Sequence, residues 1–217
     1  MKRLLKPFTL IFIVSIVISC SNDNKVVLFN GDDLENWDIY IGTPGMEPGD
    51  LFQAVDGVIR TTGIPTGYIR TKDTYSNYKL HVEWRWTGEP INSGVLINIQ
   101  GKDMIWPLCN ECQLKHGNAG DFVCIRKGSG ITIKDSTYLV TSDENIFAIA
   151  KKFEESSEVE PGGWNSYDIT NQNGNIEVIV NGVLQNSGLD MTLTDGKIGL
   201  QAEGAPMEFR SIYLEPL

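Results

Sequence analysis

Two histidines and four cysteines among 217 residues leave little material for a metal or thiol centre. A closed thiolate zinc site takes four Cys or His ligands, and beyond Cys20 the chain offers only Cys109, Cys112 and Cys124. No apolar run reaches the roughly 20 residues of a comfortable membrane span. No Gly-x-Gly-x-x-Gly leads from a strand into a helix, which excludes the usual dinucleotide cradle. Basic residues are outnumbered, 18 Lys and Arg against 28 Asp and Glu, for a formal charge of −10. An acidic chain without a basic stripe repels phosphate backbones, so nucleic acid is not an expected partner. Internal repeats and low-complexity tracts are also missing, and helical spacing is scarce. The acidic run Glu154 to Glu160 reads as a solvated loop.

The first residues, MKRLLK, precede an apolar stretch from Phe8 to Ile18 and then Ser19-Cys20. A basic start, a short apolar core and a small residue read as an export signal over residues 1–19. Cysteine directly after that core resembles a bacterial lipobox, with Val17-Ile18 a loose match. Cys20 would then be the lipidated first residue and residues 20–25 a short tether, placing residues 26–217 as one domain at the cell envelope. Removing residues 1–19 takes away Lys2, Arg3 and Lys6, so the formal charge of −10 becomes −13.

Period-2 alternation dominates the chain beyond the tether. In "YKLHVEWRW" (Tyr78–Trp86), Leu80, Val82, Trp84 and Trp86 share one face, and His81, Glu83 and Arg85 the other. "SGVLINI", "DFVCI", "WNSYDI", "NIEVIVNG", "KIGLQAEG" and "MEFRSIYLEPL" read likewise. Hairpin signals stand at Asp56-Gly57, Asn173-Gly174, Asn181-Gly182 and Asp195-Gly196. Many short strands with tight turns predict an all-β fold of two stacked antiparallel sheets, a jelly-roll sandwich.

Several segments carry a resemblance. "LFNGDDLENWDIY", "FQAVDGVIRTTG", "EWRWTGEPINSGVLI" and "ECQLKHGNAGDF" are followed by a closing grammar of "GGWNSYDIT", "NGNIEVIVNGVLQ" and "GKIGLQAEGAPMEFRSIYLEPL". In this order they resemble the 3-keto-disaccharide hydrolase family over most of the chain. The resemblance implies a concanavalin A-like jelly roll, export to the bacterial envelope, and activity on glycosides oxidised at sugar carbon 3. A separate sugar oxidoreductase upstream is implied as well, since nothing in this chain would hold a dinucleotide.

The richest stretch is "IWPLCNECQLKHGNAGDF" (Ile105–Phe122). Read as a strand, it sends Cys109 and Cys112 to opposite faces roughly 10 Å apart, beyond disulfide reach. A hairpin around His116–Gly120 brings Cys112 toward Cys124, the preferred disulfide, with Cys109–Cys124 and Cys109–Cys112 left open. Glu111 and Gln113 share the other face. Sandwich glucanases set two or three carboxylates on such a strand, often as Glu-x-Asp-x-x-Glu, a pattern found nowhere here. Gln113 cannot ionise, so the ordinary two-carboxylate mechanism loses a partner on this strand.

A 3-keto sugar asks for less. Its carbonyl acidifies the proton on carbon 2, so one base suffices to begin cleavage. Glu111 is the expected base, with His116 and Glu203 as the other acid–base candidates. Arg85 or a divalent cation would hold the oxyanion. Asn92, Gln113 and Gln201 would read hydroxyls, and Trp164 would stack on a sugar ring. Each has a plainer alternative: Arg85 bridging Glu83 or an acid on a neighbouring strand, His116 an exposed loop residue, Trp164 a strand anchor, Asp121 a turn closer or a cation ligand. The rival functions are a non-catalytic glycan-binding module and a conventional endo-glucanase.

Overall fold

Tyr78–Trp86 alternates as its pattern predicts, with Leu80, Val82, Trp84 and Trp86 buried and His81, Glu83 and Arg85 only half-buried. The structure, a computed structural model, describes residues 24–217. The expected signal and Cys20 therefore lie outside the described residues. Among those described, no helix is long and apolar enough to cross a membrane.

In chain order the strands begin with β1 (Val26–Val27), β2 (Trp37–Ile41), β3 (Phe52–Val55), β4 (Val58–Thr61), β5 (Gly67–Thr71) and β6 (Tyr75–Ser76). Next come β7 (Tyr78–Trp86), β8 (Gly94–Gln100), β9 (Leu108–Gln113), β10 (Phe122–Ile125), β11 (Gly130–Ile133) and β12 (Ser136–Leu139). The chain closes with β13 (Phe147–Ala150), β14 (Asn165–Gln172), β15 (Asn175–Val180), β16 (Val183–Gly188), β17 (Asp195–Ala202) and β18 (Met207–Pro216). One helical turn, α1 (Pro48–Leu51), joins β2 to β3. The back sheet runs β16-β15-β14-β7-β18-β4-β3, with β1 beside β18. The front sheet runs β13-β10-β9-β8-β17-β5-β2, with β6 beside β17. All strand pairs are antiparallel, and β11 and β12 form a separate ribbon. The expected jelly-roll sandwich is the observed fold.

Between the sheets, the inward residues of β7 pack with Val95 and Ile97 of β8, Cys112 of β9, and Phe122 and Cys124 of β10. The Trp84 and Tyr167 rings lie 4.8 Å apart at the centre. Burying each such side chain contributes roughly 1.5–3 kcal/mol. A second, smaller apolar cluster lies on the outward face of the front sheet: Tyr68, Leu96, Ile99, Cys109, Val123 and Ile125. That sheet is thus apolar on both faces, which is why β8 and β10 are almost continuously buried.

Three of the four Gly turns are left-handed at both central positions, as a two-residue hairpin needs: Asp56-Gly57, Asn173-Gly174 and Asn181-Gly182. The fourth differs. Asp195-Gly196 lies inside β17, paired with β6, because the chain crosses there instead of reversing.

The proposed Cys112–Cys124 disulfide is absent, and all three described cysteines are free and buried. The hairpin forms, but its register sets Cys112 against Phe122 and Cys124 against Asn110. The two are then diagonal neighbours roughly 7–8 Å apart, outside bridging range. The alternatives fail as well: Cys109 faces outward opposite Ile125, away from the core that holds Cys112 and Cys124. The acidic run is also more than a solvated loop. Glu158 is nearly buried and accepts bonds from the Gly117 amide at 2.7 Å and Ser156 Oγ at 2.9 Å, tying the loop to the β9–β10 turn.

Candidate functional site

β9 sits near the middle of the front sheet, and its alternation sends Cys109, Glu111 and Gln113 away from the core. On the neighbouring strand β8, Gly94 stands opposite Gln113 and diagonal to Glu111. A Cβ built on Gly94 would lie 2.7 Å from both Cγ and Cδ of Glu111, so the glutamate side chain fits only because that position is bare. The Gly in "INSGVL" is therefore a seat for Glu111.

Glu111 opens onto a groove of about 210 Å³ lined by Asn92, Trp106, Gln113, Val123, Phe147, Ile149 and Glu203. Its Oε1 has no hydrogen-bond partner. Burial first, and the negative charge of Glu203 second, push its pKa up to about 8. Glu203 follows the end of β17 and bridges to Asn92. Burial raises Glu203 too, but hydrogen bonds from Asn92 and Trp106 and the charge of Lys115 offset part of that rise. Two neighbouring carboxyls cannot both ionise cheaply. Of the two, Glu111 holds its proton more firmly, because no hydrogen bond offsets its rise. Gln113 turns its Oε1 inward to the Lys115 amide at 2.9 Å, which leaves its NH2 donors for the groove.

Trp106 comes from the segment between β8 and β9, which folds across the front sheet. Asp103 holds that segment down, accepting from Tyr68 Oη at 2.7 Å and from both terminal nitrogens of Arg70 at 2.8 and 2.9 Å. Arg126 holds its far end, donating to the Trp106 carbonyl at 2.7 Å and the Ile105 carbonyl at 3.1 Å. Trp106 itself is left-handed, with φ 55°. Four of the eight lining residues, Trp106, Val123, Phe147 and Ile149, went unmarked in the sequence. The one available signal was Trp-Pro just before the β9 pattern, an aromatic fixed at a strand entry.

Of the expected site residues, Glu111, Glu203, Asn92 and Gln113 converge on the groove. Gln201 shares the outward face on β17, two residues before Glu203, buried with its Oε1 unpartnered, and lines a small adjoining cavity under Ile105–Pro107. His116 does not line the groove; its Nδ1 lies 3.4 Å from Glu158, at the hairpin turn. Arg85 and Trp164 belong to the outer face of the back sheet, a whole sandwich away from Glu111. There Arg85 pairs with Glu208 of β18 at 2.6 Å, and the Trp164 ring lies under Arg85 at 4.7 Å and Arg210 at 3.9 Å. Alternation told which residues share a face of β7; it could not tell that β7 belongs to the back sheet. Asp121 is held by Lys151 at 2.8 Å. Among the described residues no three His, Cys, Asp or Glu side chains converge as metal ligands.

Comparison with known proteins settles the relationship. The model of the 3-keto-α-glucoside-1,2-lyase-like domain matches residues 24–215. The chain belongs to this family. Two Parabacteroides distasonis ATCC 8503 proteins, each described as a "putative glycosyl hydrolase", share the fold. One is 22% identical, covering 89% of this chain and 94% of its own length at a TM-score of 0.60. The other is 20% identical, covering 89% and 99% at 0.61. A Bacillus licheniformis β-glucanase, 13% identical, covers 87% and 94% at 0.51. Among curated proteins none matches the sequence. Membership in this family supports a carbohydrate-active function, that of a glycan-acting enzyme.

Proposed function

We propose that the chain cleaves 3-keto-glycosides in its front-sheet groove, with Glu203 and Glu111 dividing the proton transfers. The observation that carries this is the buried, unpartnered Glu111 carboxyl sharing one groove with Glu203. The sequence favours Glu111 as the base; the electrostatics of the pair favour Glu203 in that role and Glu111 as the acid. Pairs of carboxyls whose environments push their pKa values apart are a recurrent basis for such a division of roles.

The ketone at carbon 3 acidifies the proton on carbon 2. The Glu203 carboxylate takes that proton, and the electron pair forms an enolate. Donors at the groove, the Gln113 amide and Lys115 at the rim, stabilise the oxygen. As the enolate collapses, the bond from carbon 1 to the leaving oxygen breaks, and Glu111 gives that oxygen its proton. The enone then takes up water: Glu111, now ionised, removes the proton from water as its oxygen bonds to carbon 1. Glu203 returns its proton to carbon 2. The net change is hydrolysis, with both carboxyls restored. A distinct oxidoreductase supplies the 3-keto substrate in this reading, and lipidation at Cys20 holds the domain at the cell envelope.

The test is turnover of a 3-keto-glucoside by Glu111→Gln and Glu203→Gln. Each loses about 10²–10⁴-fold in kcat, the range of a lost general acid or base. Wild-type kcat/KM falls above about pH 8 as Glu111 gives up its proton. Binding without turnover by the wild type identifies a glycan-binding module instead. Cleavage of unoxidised β-glucan identifies an ordinary glucanase.

A further inference from the structure

The groove has two unlike ends. Asn92, Gln113 and Glu203 make one polar, while Val123, Phe147 and Ile149 make the other apolar, with Trp106 above. Register explains the apolar end. Ile149 of β13 stands opposite Val123 of β10, and Val123 opposite Glu111 of β9, so the three form one row across the front sheet. Phe147 starts the next row, opposite Ile125. With strands roughly 4.8 Å apart, the row places β13 about 10 Å from the carboxyl strand, one ring beyond a reacting carbon.

β13 is also the edge strand of the front sheet. Edges usually carry charge or proline against unwanted pairing. This one instead shows Phe147 at 43% and Ile149 at 46% exposure, directly on the groove. The Trp106 ring meets Phe147 edge-on at 5.7 Å, and its indole lies on the side of Glu203, whose pKa it lowers. Val123, Phe147 and Ile149 thus offer no side-chain hydrogen-bonding group to the hydroxyls of a second sugar.

We propose that Phe147, Ile149, Val123 and Trp106 form a leaving-group subsite, and that the substrates are 3-keto-glycosides whose leaving group is an apolar ring. This rests on the cleavage reading above, with the 3-keto sugar at the polar end.

The experiment compares methyl and cyclohexylmethyl 3-keto-glucosides, both leaving as simple primary alkanols, so that binding of the ring is what differs. The wild type favours the cyclohexylmethyl substrate by about tenfold or more in kcat/KM, as expected for apolar groups entering a hydrophobic pocket. In Phe147→Ser/Ile149→Thr that ratio falls to within about threefold, while Phe147→Leu, which keeps apolar area, retains most of it. Equal kcat/KM for the two substrates in the wild type overturns the subsite, as does a ratio unchanged in the double variant. If the wild type turns over neither substrate, the cleavage reading fails by itself. The subsite is then judged by tryptophan-fluorescence titration with the unoxidised cyclohexylmethyl and methyl glucosides. A preference for the ring that disappears in the double variant upholds it, and no preference overturns it.

Discussion

Glu111 combines three properties that seldom coincide by accident: burial, an unpartnered oxygen and a seat that only glycine permits. The seat is testable. Gly94→Ala puts a methyl group against the Glu111 side chain and forces the carboxyl out of place; a displacement of this size costs on the order of 10²-fold in kcat. The fold should survive, which a melting curve and a KM close to wild type would verify. Burial of Glu111 also has a thermodynamic sign. Its folded pKa, about 8, stands above the unfolded value near 4.5. Its contribution to stability is fully present below pH 4.5 and is lost as pH rises through about 8. Glu111→Gln should therefore stabilise the protein at pH 8 relative to wild type, by on the order of a few kcal/mol, and the gain should shrink toward pH 5. Paired urea titrations at the two pH values measure it.

At the scale of the element, the β9–β10 hairpin and the strap before it build the groove. The strand itself was legible: alternation put Glu111 and Gln113 on one face and Cys112 on the other, and so they stand. Its hairpin partner was legible too, but the register was not. A register shift of two residues keeps every side chain on its own face, so the hydrophobic pattern alone does not choose between them. That is why the Cys112–Cys124 pairing failed. The strap was illegible for another reason: Asp103 and Arg126 act on it through Tyr68, Arg70 and two carbonyls, contacts between distant strands that leave no local signature. Asp103→Asn keeps the shape and removes the charge that grips Arg70. Loosened, the strap carries Trp106 away from Glu203, and the acidic limb of the kcat/KM profile moves to higher pH as that carboxylate loses a donor. A strap with no part in the site would leave that limb where it is.

For the whole molecule, the sandwich separates two polar faces that sequence alone could not tell apart. Arg85, Glu83 and His81 alternate as clearly as Glu111 and Gln113 do, yet they cover the back sheet. There Glu208, which burial alone would raise, is held below its ordinary value by Arg85 and Arg60. Arg85→Ala should cost about 1–3 kcal/mol through a lost charged hydrogen bond to a buried acid. It should leave kcat/KM on a 3-keto-glucoside within about threefold of wild type, because a full sandwich lies between it and the groove. Denaturation midpoint and steady-state kinetics on one preparation separate the two effects. The two stacked sheets, their antiparallel pairing and the inward residues of β7 were readable, since each comes from local alternation and turn chemistry. The assignment of strands to front or back was not, because it is decided by long-range pairing.

Cys109, Cys112 and Cys124 lie wholly out of solvent, and burial raises every one of their pKa values. None is a nucleophile while it stays covered. A thiol-reactive dye mixed with the native protein would reach Cys112 and Cys124 only when the β-layers part, and Cys109 only when the strap carrying Trp106 lifts from the front sheet. The sandwich thus carries its own opening gauge, read as a colour change per separation event.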